Sequence, residues 1–220
     1  MTSTRSGRGP YAKTAQTREA ILDAAFGIFC RKGYIGSTLT EIARATGMTL
    51  TGVKAHFPDR ADLLLAVLAR WDGEAQDILE GRSGADLLHG LLEVAARDED
   101  HRDFAQFFGI LAAEAASPDH PAHLYLMQRY AAIVDVVREA FEELDAQGQL
   151  RPGVSAESAA QGYVSIADGS NVLRLYGLGS TTRVDLLRQF FAGVLTAAED
   201  GPPSGRFPSV GRETAGDRPA

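Results

Sequence analysis

Apolar residues recur every three or four positions along most of this chain, which is the spacing of amphipathic helices. The stretch 17–32 (TREAILDAAFGIFCRK) is a clear case, and Gly33 follows where such a helix would end. Its apolar face consists of Ile21, Ala25, Ile28 and Phe29. Because no stretch makes a convincing strand, the pattern predicts an all-α protein with its first helix over 17–32.

Two short helices are predicted next, separated by a glycine turn. Thr38 stands three residues before Glu41, the spacing of a capping box in which each side chain bonds the other's backbone amide. Gly47 suits the left-handed conformation that ends a helix. Thr49 can cap the second short helix, and Pro58 stops it because proline lacks the necessary N–H.

Longer helical patterns fill the rest of the chain as far as residue 199. Asp59 is a good cap for a fourth helix, which begins RADLLLAVLARW. Glycine and proline separate the later segments, which we expect at about 84–97, 101–116, 120–147, 155–176 and 182–199. From residue 201 the chain reads GPPSGRFPSVGRETAGDRPA, too poor in apolar residues to pack.

Charge is distributed unevenly along the chain, although the net charge of −7 alone argues against a nucleic-acid partner. Residues 1–60 contain nine Lys or Arg and four Asp or Glu, a net of +5, and residues 61–220 contain 13 and 25, a net of −12. A basic N-terminal segment followed by an acidic remainder predicts one module that binds a polyanion and another with a different function.

Several protein classes are disfavoured by composition. With 45% hydrophobic residues the chain can bury a sizeable core, and its single cysteine, Cys30, excludes an intramolecular disulfide framework. The polar start has no apolar h-region, and no stretch approaches about 20 apolar residues. We therefore expect a cytoplasmic protein without a membrane partner.

A helix, a glycine turn and a second helix match the helix-turn-helix, whose second helix enters the major groove of DNA. Small side chains at Thr49, Thr51, Gly52 and Ala55 would let that helix approach the groove closely. The residues predicted to flank the groove are Thr38, Thr40, Arg44, Lys54 and Arg60. The alternative is a short helical hairpin within a bundle, in which Lys54 is merely solvated.

The stretch TREAILDAAFGIFCRKGYIGSTLTEIARATGMTLTGVKAHFPDRADLLLAVL resembles the N-terminal DNA-binding domain of the TetR family of transcriptional regulators. The resemblance rests on the TREAILDAA opening, KGY at 32–34, EIA at 41–43, the turn at Gly47 and HFPDR at 56–60. The remainder resembles the family only in helix number and in ADGSNVLRLYG at 167–177.

The resemblance implies an all-helical homodimer in which three N-terminal helices bind double-stranded DNA. The other helices would dimerise and enclose a pocket for a small effector, and most members are repressors that a ligand releases from a palindromic operator. The domains would be a flexible basic arm (1–14), a helix-turn-helix DNA-binding domain (15–58), a helical ligand-binding and dimerisation domain (59–199) and a disordered tail (200–220).

Individual roles also follow from the resemblance. Thr38 would contact phosphate, Thr40 and Arg44 would lie toward the groove, and two further residues would lie near the DNA backbone, His56 and Arg60. The exposed recognition residues would be Thr49, Leu50, Thr51 and Lys54.

Two positions depart from the family pattern, which usually has Tyr in place of Lys54 and a polar or basic residue in place of Leu50. Lys54 keeps a phosphate contact through its charge, whereas Leu50 can meet a thymine methyl group but cannot donate a hydrogen bond. These departures leave an alternative open, a helical interaction protein of the same fold whose DNA binding is weakened or lost.

A ligand pocket is suggested by Phe104, Phe107 and Phe108, which lie at i, i+3 and i+4 on one helix face, although such a face also suits a core. Glycines within predicted helices carry a cost that close packing or room for a ligand would offset. The further candidates for the pocket wall are Trp71, Tyr125, Asp168 and Asn171. An aromatic wall with few polar groups predicts a small hydrophobic effector.

A dimer interface is predicted in the last helix, whose segment LLRQFFAGVLTAA has a wider apolar face than one helix needs. The residues assigned to this interface are Leu186, Leu187, Phe190, Phe191, Val194 and Leu195. Two-fold symmetry would then require a palindromic operator.

Catalytic, cofactor and metal patterns are weak in this sequence. It contains no HExxH, P-loop, dinucleotide-binding glycine pattern or G-x-S-x-G motif. His120 and His123 have a spacing that could hold a metal, but no further ligand cluster accompanies them. We therefore expect neither an enzyme nor a cofactor.

Overall fold

The computed structural model describes residues 10–196, except for the side chains of Pro10, Tyr11, Arg102 and Phe104. In this range the protein is α-helical, and the rest of the regular structure is one isolated antiparallel bridge between Leu150 and Leu195. The prediction of an all-α fold is confirmed. The helices are α1 (Pro10–Lys32), α2 (Leu39–Ala45), α3 (Leu50–Lys54), α4 (Arg60–Leu79), α5 (Gly84–Asp100), α6 (Arg102–Glu114), α7 (His123–Ala146), α8 (Ala156–Leu175) and α9 (Arg183–Val194).

The first helix starts earlier than its apolar pattern indicated. It begins at Pro10, and Thr17, the expected start, lies inside it with its hydroxyl bonded to the Lys13 carbonyl at 2.9 Å. Proline is well tolerated in a first helical turn, where its missing N–H has no partner to lose. The predicted flexible arm is therefore wrong for residues 10–14. The rest of that arm, 1–9, and the predicted tail, 200–220, lie outside the described residues.

The caps and the glycine turn around α2, α3 and the start of α4 lie where the sequence predicted them. Both bonds of the capping box between Thr38 and Glu41 are present at the start of α2. Gly47 has a φ of 66° in the turn between α2 and α3, a conformation that glycine adopts without steric cost. Thr49 and Asp59 each accept a hydrogen bond from the backbone amide three residues ahead.

Two clusters of buried apolar side chains hold the described helices together. The first cluster contains residues of α1, α2, α3, α4 and α6 and of the start of α7. The second contains residues of α5, α7, α8 and α9. Phe107 and Phe108 of α6 belong to the first cluster, so the predicted division at residue 58 falls inside a shared core. The three N-terminal helices consequently pack directly on the larger helical body.

Part of the apolar face of α9 is buried within the protomer and does not form the predicted dimer interface. Leu187 and Phe191 are buried within the protomer, where Phe191 stacks on Tyr163 with ring centroids 6.1 Å apart. The assignment of these two residues to a dimer surface is therefore wrong, because the same face packs on α8. The other four residues of the assignment are half-buried: Leu186, Phe190, Val194 and Leu195.

Close helix packing accounts for three of the glycines within helices. A Cβ atom would lie 2.8 Å from the Leu79 side chain at Gly90, 2.7 Å from Leu175 at Gly109 and 2.8 Å from Phe190 at Gly162. Gly169 differs, since a Cβ atom there would meet nothing within 4 Å. The first three glycines are thus explained by neighbouring side chains and need no ligand.

Leu144 and Leu124 on α7 provide a matched test of the second core cluster. Leu144 is 1% exposed and Leu124 is 57% exposed. We expect Leu144→Ala to lower the free energy of unfolding by about 2–5 kcal/mol, because it removes buried surface and leaves a cavity. Leu124→Ala should change it by less than about 0.5 kcal/mol. Urea unfolding followed by circular dichroism measures both, and equal effects would contradict this packing.

Candidate nucleic-acid interface and ligand cavity

The short helices α2 and α3 each bury one side and leave a polar side open. Ile42, Ala43 and Val53 are buried against the first core cluster. The predicted recognition residues that are exposed are Thr38, Thr40, Arg44, Thr49, Leu50, Thr51 and Lys54. His56 and Arg60 are half-buried. The packing therefore presents the residues that the sequence assigned to DNA, with Leu50 39% exposed among them.

Two basic side chains on this surface are free to meet an anion. Arg44 and Lys54 are exposed, and neither has an ion pair or side-chain hydrogen bond with any residue whose side chain the structure describes. Lys32, by contrast, is paired with Glu41. The hydroxyls of Thr38 and Thr49 are occupied as helix caps.

Arg60, which is predicted to lie near the DNA backbone, makes two contacts within the protein itself. Its guanidinium donates a hydrogen bond to the Ser37 carbonyl and lies 4.0 Å from the centre of the Tyr34 ring. Both contacts hold the turn that connects α1 to α2. Arg60 is thus a structural cation of this turn in the free protein, because the carbonyl and the ring already occupy its charged group.

A carboxylate from α6 binds the same turn. Glu114 accepts hydrogen bonds from the backbone amides of Tyr34 at 2.8 Å and Ile35 at 3.4 Å. His120 Nε2 lies 3.9 Å from this carboxylate, and burial lowers the pKa of His120 although the carboxylate opposes that shift. Sequence reasoning missed Glu114 because it lies 80 residues from Tyr34 and belongs to no local motif.

Aromatic rings reinforce the contact between α6 and α1. Phe107 meets Phe26 edge-on with centroids 5.3 Å apart and stacks with Phe29 at 6.5 Å. Phe26 also stacks on Trp71 of α4 at 5.5 Å. The turn at the start of the candidate DNA-reading unit is therefore tied to α6 by apolar packing and by a charged acceptor.

A cavity of about 540 Å³ lies among α4, α5, α7 and α8. Phe108 of α6 and Arg183 of α9 also reach its wall. Most of the wall is apolar and includes Ala69, Leu79, Leu91, Val94, Ile133, Val136, Val137 and Val164. This size and lining are typical of a site for a small organic molecule.

Carboxylates enter the cavity in three places. Asp72 accepts hydrogen bonds from the Tyr125 hydroxyl and from Arg129 Nε, both at 2.8 Å. Asp98 is buried and lies 3.0 Å from Arg183. The third group is Asp168, which accepts a hydrogen bond from the hydroxyl of another tyrosine in the wall at 2.7 Å.

The tyrosine hydroxyls act as neutral donors. Burial raises the pKa of Tyr125 well above its usual range, and the bond to Asp72 raises it further. Burial followed by the charge of Asp168 does the same for the pKa of Tyr130. Both phenols therefore keep their protons at neutral pH and donate to the carboxylates.

The predicted pocket residues divide between cavity and core. Phe108, Tyr125 and Asp168 line the cavity. The others with described side chains, Trp71, Phe107 and Asn171, are buried elsewhere and do not line it. The side chain of Phe104 lies outside the described residues.

The sequence did not identify the ionic partners in the wall. Asp72, Arg129 and Tyr130 were missed, as were Asp98 and Arg183. A signal existed within α7, since Tyr125 and Arg129 are four residues apart on one helix face. The position of Asp72, 53 residues from Tyr125, depends on how α4 packs on α7.

The histidine pair has ordinary backbone partners. His120 Nδ1 accepts a hydrogen bond from the Ala122 amide at 3.2 Å, and His123 Nδ1 lies 2.8 Å from the Ala115 carbonyl oxygen. Among residues 10–196, no three His, Cys, Asp or Glu side chains are grouped as a metal site would need. None of the helices described here has both the length and the apolar content to cross a bilayer.

The N-terminal helices match a known family, described as bacterial regulatory proteins, tetR family, over residues 21–67. The HTH-type transcriptional repressor BepR of Brucella suis biovar 1 (strain 1330) is 44% identical over 59 residues, which cover 27% of this chain and 28% of BepR. The HTH-type transcriptional regulator SrpR of Pseudomonas putida is 27% identical over 140 residues, which cover 63% of this chain and 66% of SrpR. The chain thus matches less than two thirds of the length of either relative.

Solved structures share the fold over most of the chain. A complex of SmeT with triclosan superposes with a TM-score of 0.70 at 22% identity, covering 86% of this chain and 96% of SmeT. SmeT is described as the repressor of the Stenotrophomonas maltophilia multidrug efflux pump SmeDEF. The family consists of regulatory proteins, in agreement with the expectation of a protein that is not an enzyme. The N-terminal helices thus match the tetR family of regulatory proteins over residues 21–67, and the fold is similar to that of solved regulators such as SmeT.

Proposed function

We propose that this protein is a cytoplasmic, sequence-specific transcriptional repressor that leaves a palindromic operator when a small hydrophobic ligand binds. The observation that carries the proposal is the open polar side of α2 and α3, where Arg44 and Lys54 are exposed without ionic partners among the described residues. Cations of this kind supply the phosphate contacts that dominate affinity for DNA.

Base reading would fall to α3. Thr51 and Leu50 are exposed on this helix, and Gly52 adds no side-chain bulk between it and a groove. A threonine hydroxyl can bond a base edge, and leucine can contact a thymine methyl group. The alternative, an interaction protein that no longer binds DNA, gains its support from Leu50 and from Lys54 in place of the family's usual tyrosine.

Dimerisation is proposed through α8 and α9, and the exposed apolar side chains support a surface near the end of α8. These residues are Val172, Leu173, Leu175, Tyr176 and Leu178. They lie in neighbouring positions, and Tyr176 is 76% exposed. A contiguous apolar surface of this kind is typical of a protein interface.

Ligand release is proposed to act through α6. Phe108 lies in the cavity wall, and Glu114, on the same helix, holds the turn before α2. Six residues of helix span roughly 9 Å, so a shift of α6 at the cavity would move the carboxylate and the turn together. The named complex of SmeT with triclosan supports an organic ligand for a protein of this fold.

Lys54→Ala is the direct test of DNA binding. We expect weaker binding to all sequences alike and a salt dependence lower by about one unit of slope, because one phosphate contact no longer releases counterions. Gel shifts against DNA upstream of the protein's own gene, over a series of salt concentrations, measure this. Arg138→Ala on α7 removes the same charge far along the chain and should leave the slope unchanged. Wild-type protein that binds no DNA at low salt would support the alternative.

A symmetric dimer is expected at micromolar concentration in analytical ultracentrifugation. Leu173→Glu should weaken it strongly, because a charge would be buried in an apolar interface. Leu124→Glu, at an exposed leucine of α7, is the matched control and should remain dimeric. A folded wild-type monomer at this concentration would contradict the proposal.

Coupling between cavity and DNA is tested with Glu114→Ala. Ligands found by thermal shift among hydrophobic metabolites and drugs should lower wild-type DNA affinity about tenfold or more, which needs about 1.4 kcal/mol of coupling. In Glu114→Ala the same ligands should bind but change DNA affinity less, since α6 no longer holds the turn. Glu139→Ala on α7 is the control. Full release in Glu114→Ala would rule out this route.

A further inference from the structure

The charges in the cavity wall are not equally compensated. Three carboxylates line the cavity with two guanidinium groups. Asp72 lies 2.8 Å from Arg129, and Asp98 lies 3.0 Å from Arg183 and 2.6 Å from Arg97 outside the cavity wall. Each of these two aspartates therefore has at least one cationic partner in a poorly solvated place.

Asp168 is the carboxylate without a cation. It is half-buried, and no nitrogen of the Lys, Arg and His side chains that the structure describes lies within ion-pair distance of it. Its described partner is the neutral hydroxyl of Tyr130 at 2.7 Å. A carboxylate has room for about four hydrogen bonds, so most of its accepting capacity remains.

The wall of the cavity favours a ligand that is mostly apolar. Phe108, Tyr125 and Tyr163 contribute aromatic surface to the same space as Asp168. An anionic ligand would need Arg129 or Arg183, and both are already bonded to aspartates. A protonated amine would instead find an unpaired carboxylate, with which it forms a strong charge-assisted hydrogen bond.

From this arrangement we propose that the cavity selects hydrophobic amines, and that Asp168 binds their ammonium group. Asp168 is then a specificity-determining residue, because a neutral ligand of the same shape forms a weaker bond with it. The inference rests on the proposed ligand-binding function and adds the chemical class of the ligand.

The test compares three molecules with the same indole ring and different end groups: tryptamine, tryptophol and indoleacetate. At neutral pH they carry an ammonium, a hydroxyl and a carboxylate. Isothermal titration calorimetry with the full-length protein should show tryptamine binding about tenfold or more tightly than tryptophol, and indoleacetate binding least. Equal affinity for the three, or no tryptamine binding at about 1 mM, would overturn the proposal.

Asp168→Asn tests whether Asp168 causes the preference for tryptamine. The substitution removes the negative charge but keeps the shape of the side chain and the acceptor for the Tyr130 hydroxyl. Tryptamine affinity should fall about tenfold or more, and tryptophol affinity should change by less than about threefold. Glu157→Gln removes the same charge from an exposed position on α8 and should keep the wild-type preference. A tryptamine preference that survives in folded Asp168→Asn would overturn the assignment.

Tyr130→Phe gives a second variant in case Asp168→Asn does not fold. It leaves the carboxylate charged and frees it from its phenol donor, so the preference for tryptamine should be retained or increased. Loss of the preference in this variant, with the fold intact by circular dichroism, would assign recognition to the phenol and overturn the role of Asp168.

Gel shifts with tryptamine separate this inference from the proposed function. Selective tryptamine binding that leaves DNA affinity unchanged would support the amine site and contradict ligand release. If the protein does not bind DNA at all, the regulator proposal fails, and calorimetry still decides the amine site. If another class of ligand releases DNA and tryptamine shows no preference, the amine proposal alone fails.

Discussion

The contact between α1 and α6 is the constraint on which the arrangement of the helices depends. Phe107 packs against Phe26 and Phe29, and Glu114 accepts hydrogen bonds from the amides of Tyr34 and Ile35. Apolar packing fixes how close the two helices lie, and the directional bonds fix their register. The turn that leads into α2 therefore cannot shift without breaking bonds to α6.

This constraint connects the two surfaces for which functions are proposed. Because α6 also places Phe108 in the cavity wall, a single rigid element borders the cavity and holds the turn. Helices α1, α2, α3 and α4 share one buried core with α6. A displacement of α6 relative to these helices is therefore not absorbed by a flexible linker. Close-packed interiors transmit small shifts to the next packed element, which is what a ligand-controlled DNA-binding protein requires.

The cavity wall contains two carboxylates with cationic partners and a third that has none among the described side chains. Asp72 with Arg129 and Asp98 with Arg183 satisfy the rule that poorly solvated charges need partners. Asp168 is an exception among the lining groups, with a phenol as its described partner. Incompletely satisfied polar groups in native proteins tend to be found at functional sites, so this exception indicates where a ligand would be recognised.

The sequence by itself determined the helical class, the caps of Thr38 and Thr49, the turn at Gly47 and the family resemblance, because these depend on residues a few positions apart. It could not decide what each apolar face meets. Phe107 and Phe108 are neighbours in the chain, yet each residue of a helix is rotated by about 100° from the one before it. Phe107 therefore packs in the core against α1, whereas Phe108 also lines the cavity. The tertiary structure likewise buried Leu187 and Phe191 in the protomer and brought Glu114 to Tyr34. Those outcomes depend on partners tens of residues away, which only the packing of the whole chain selects.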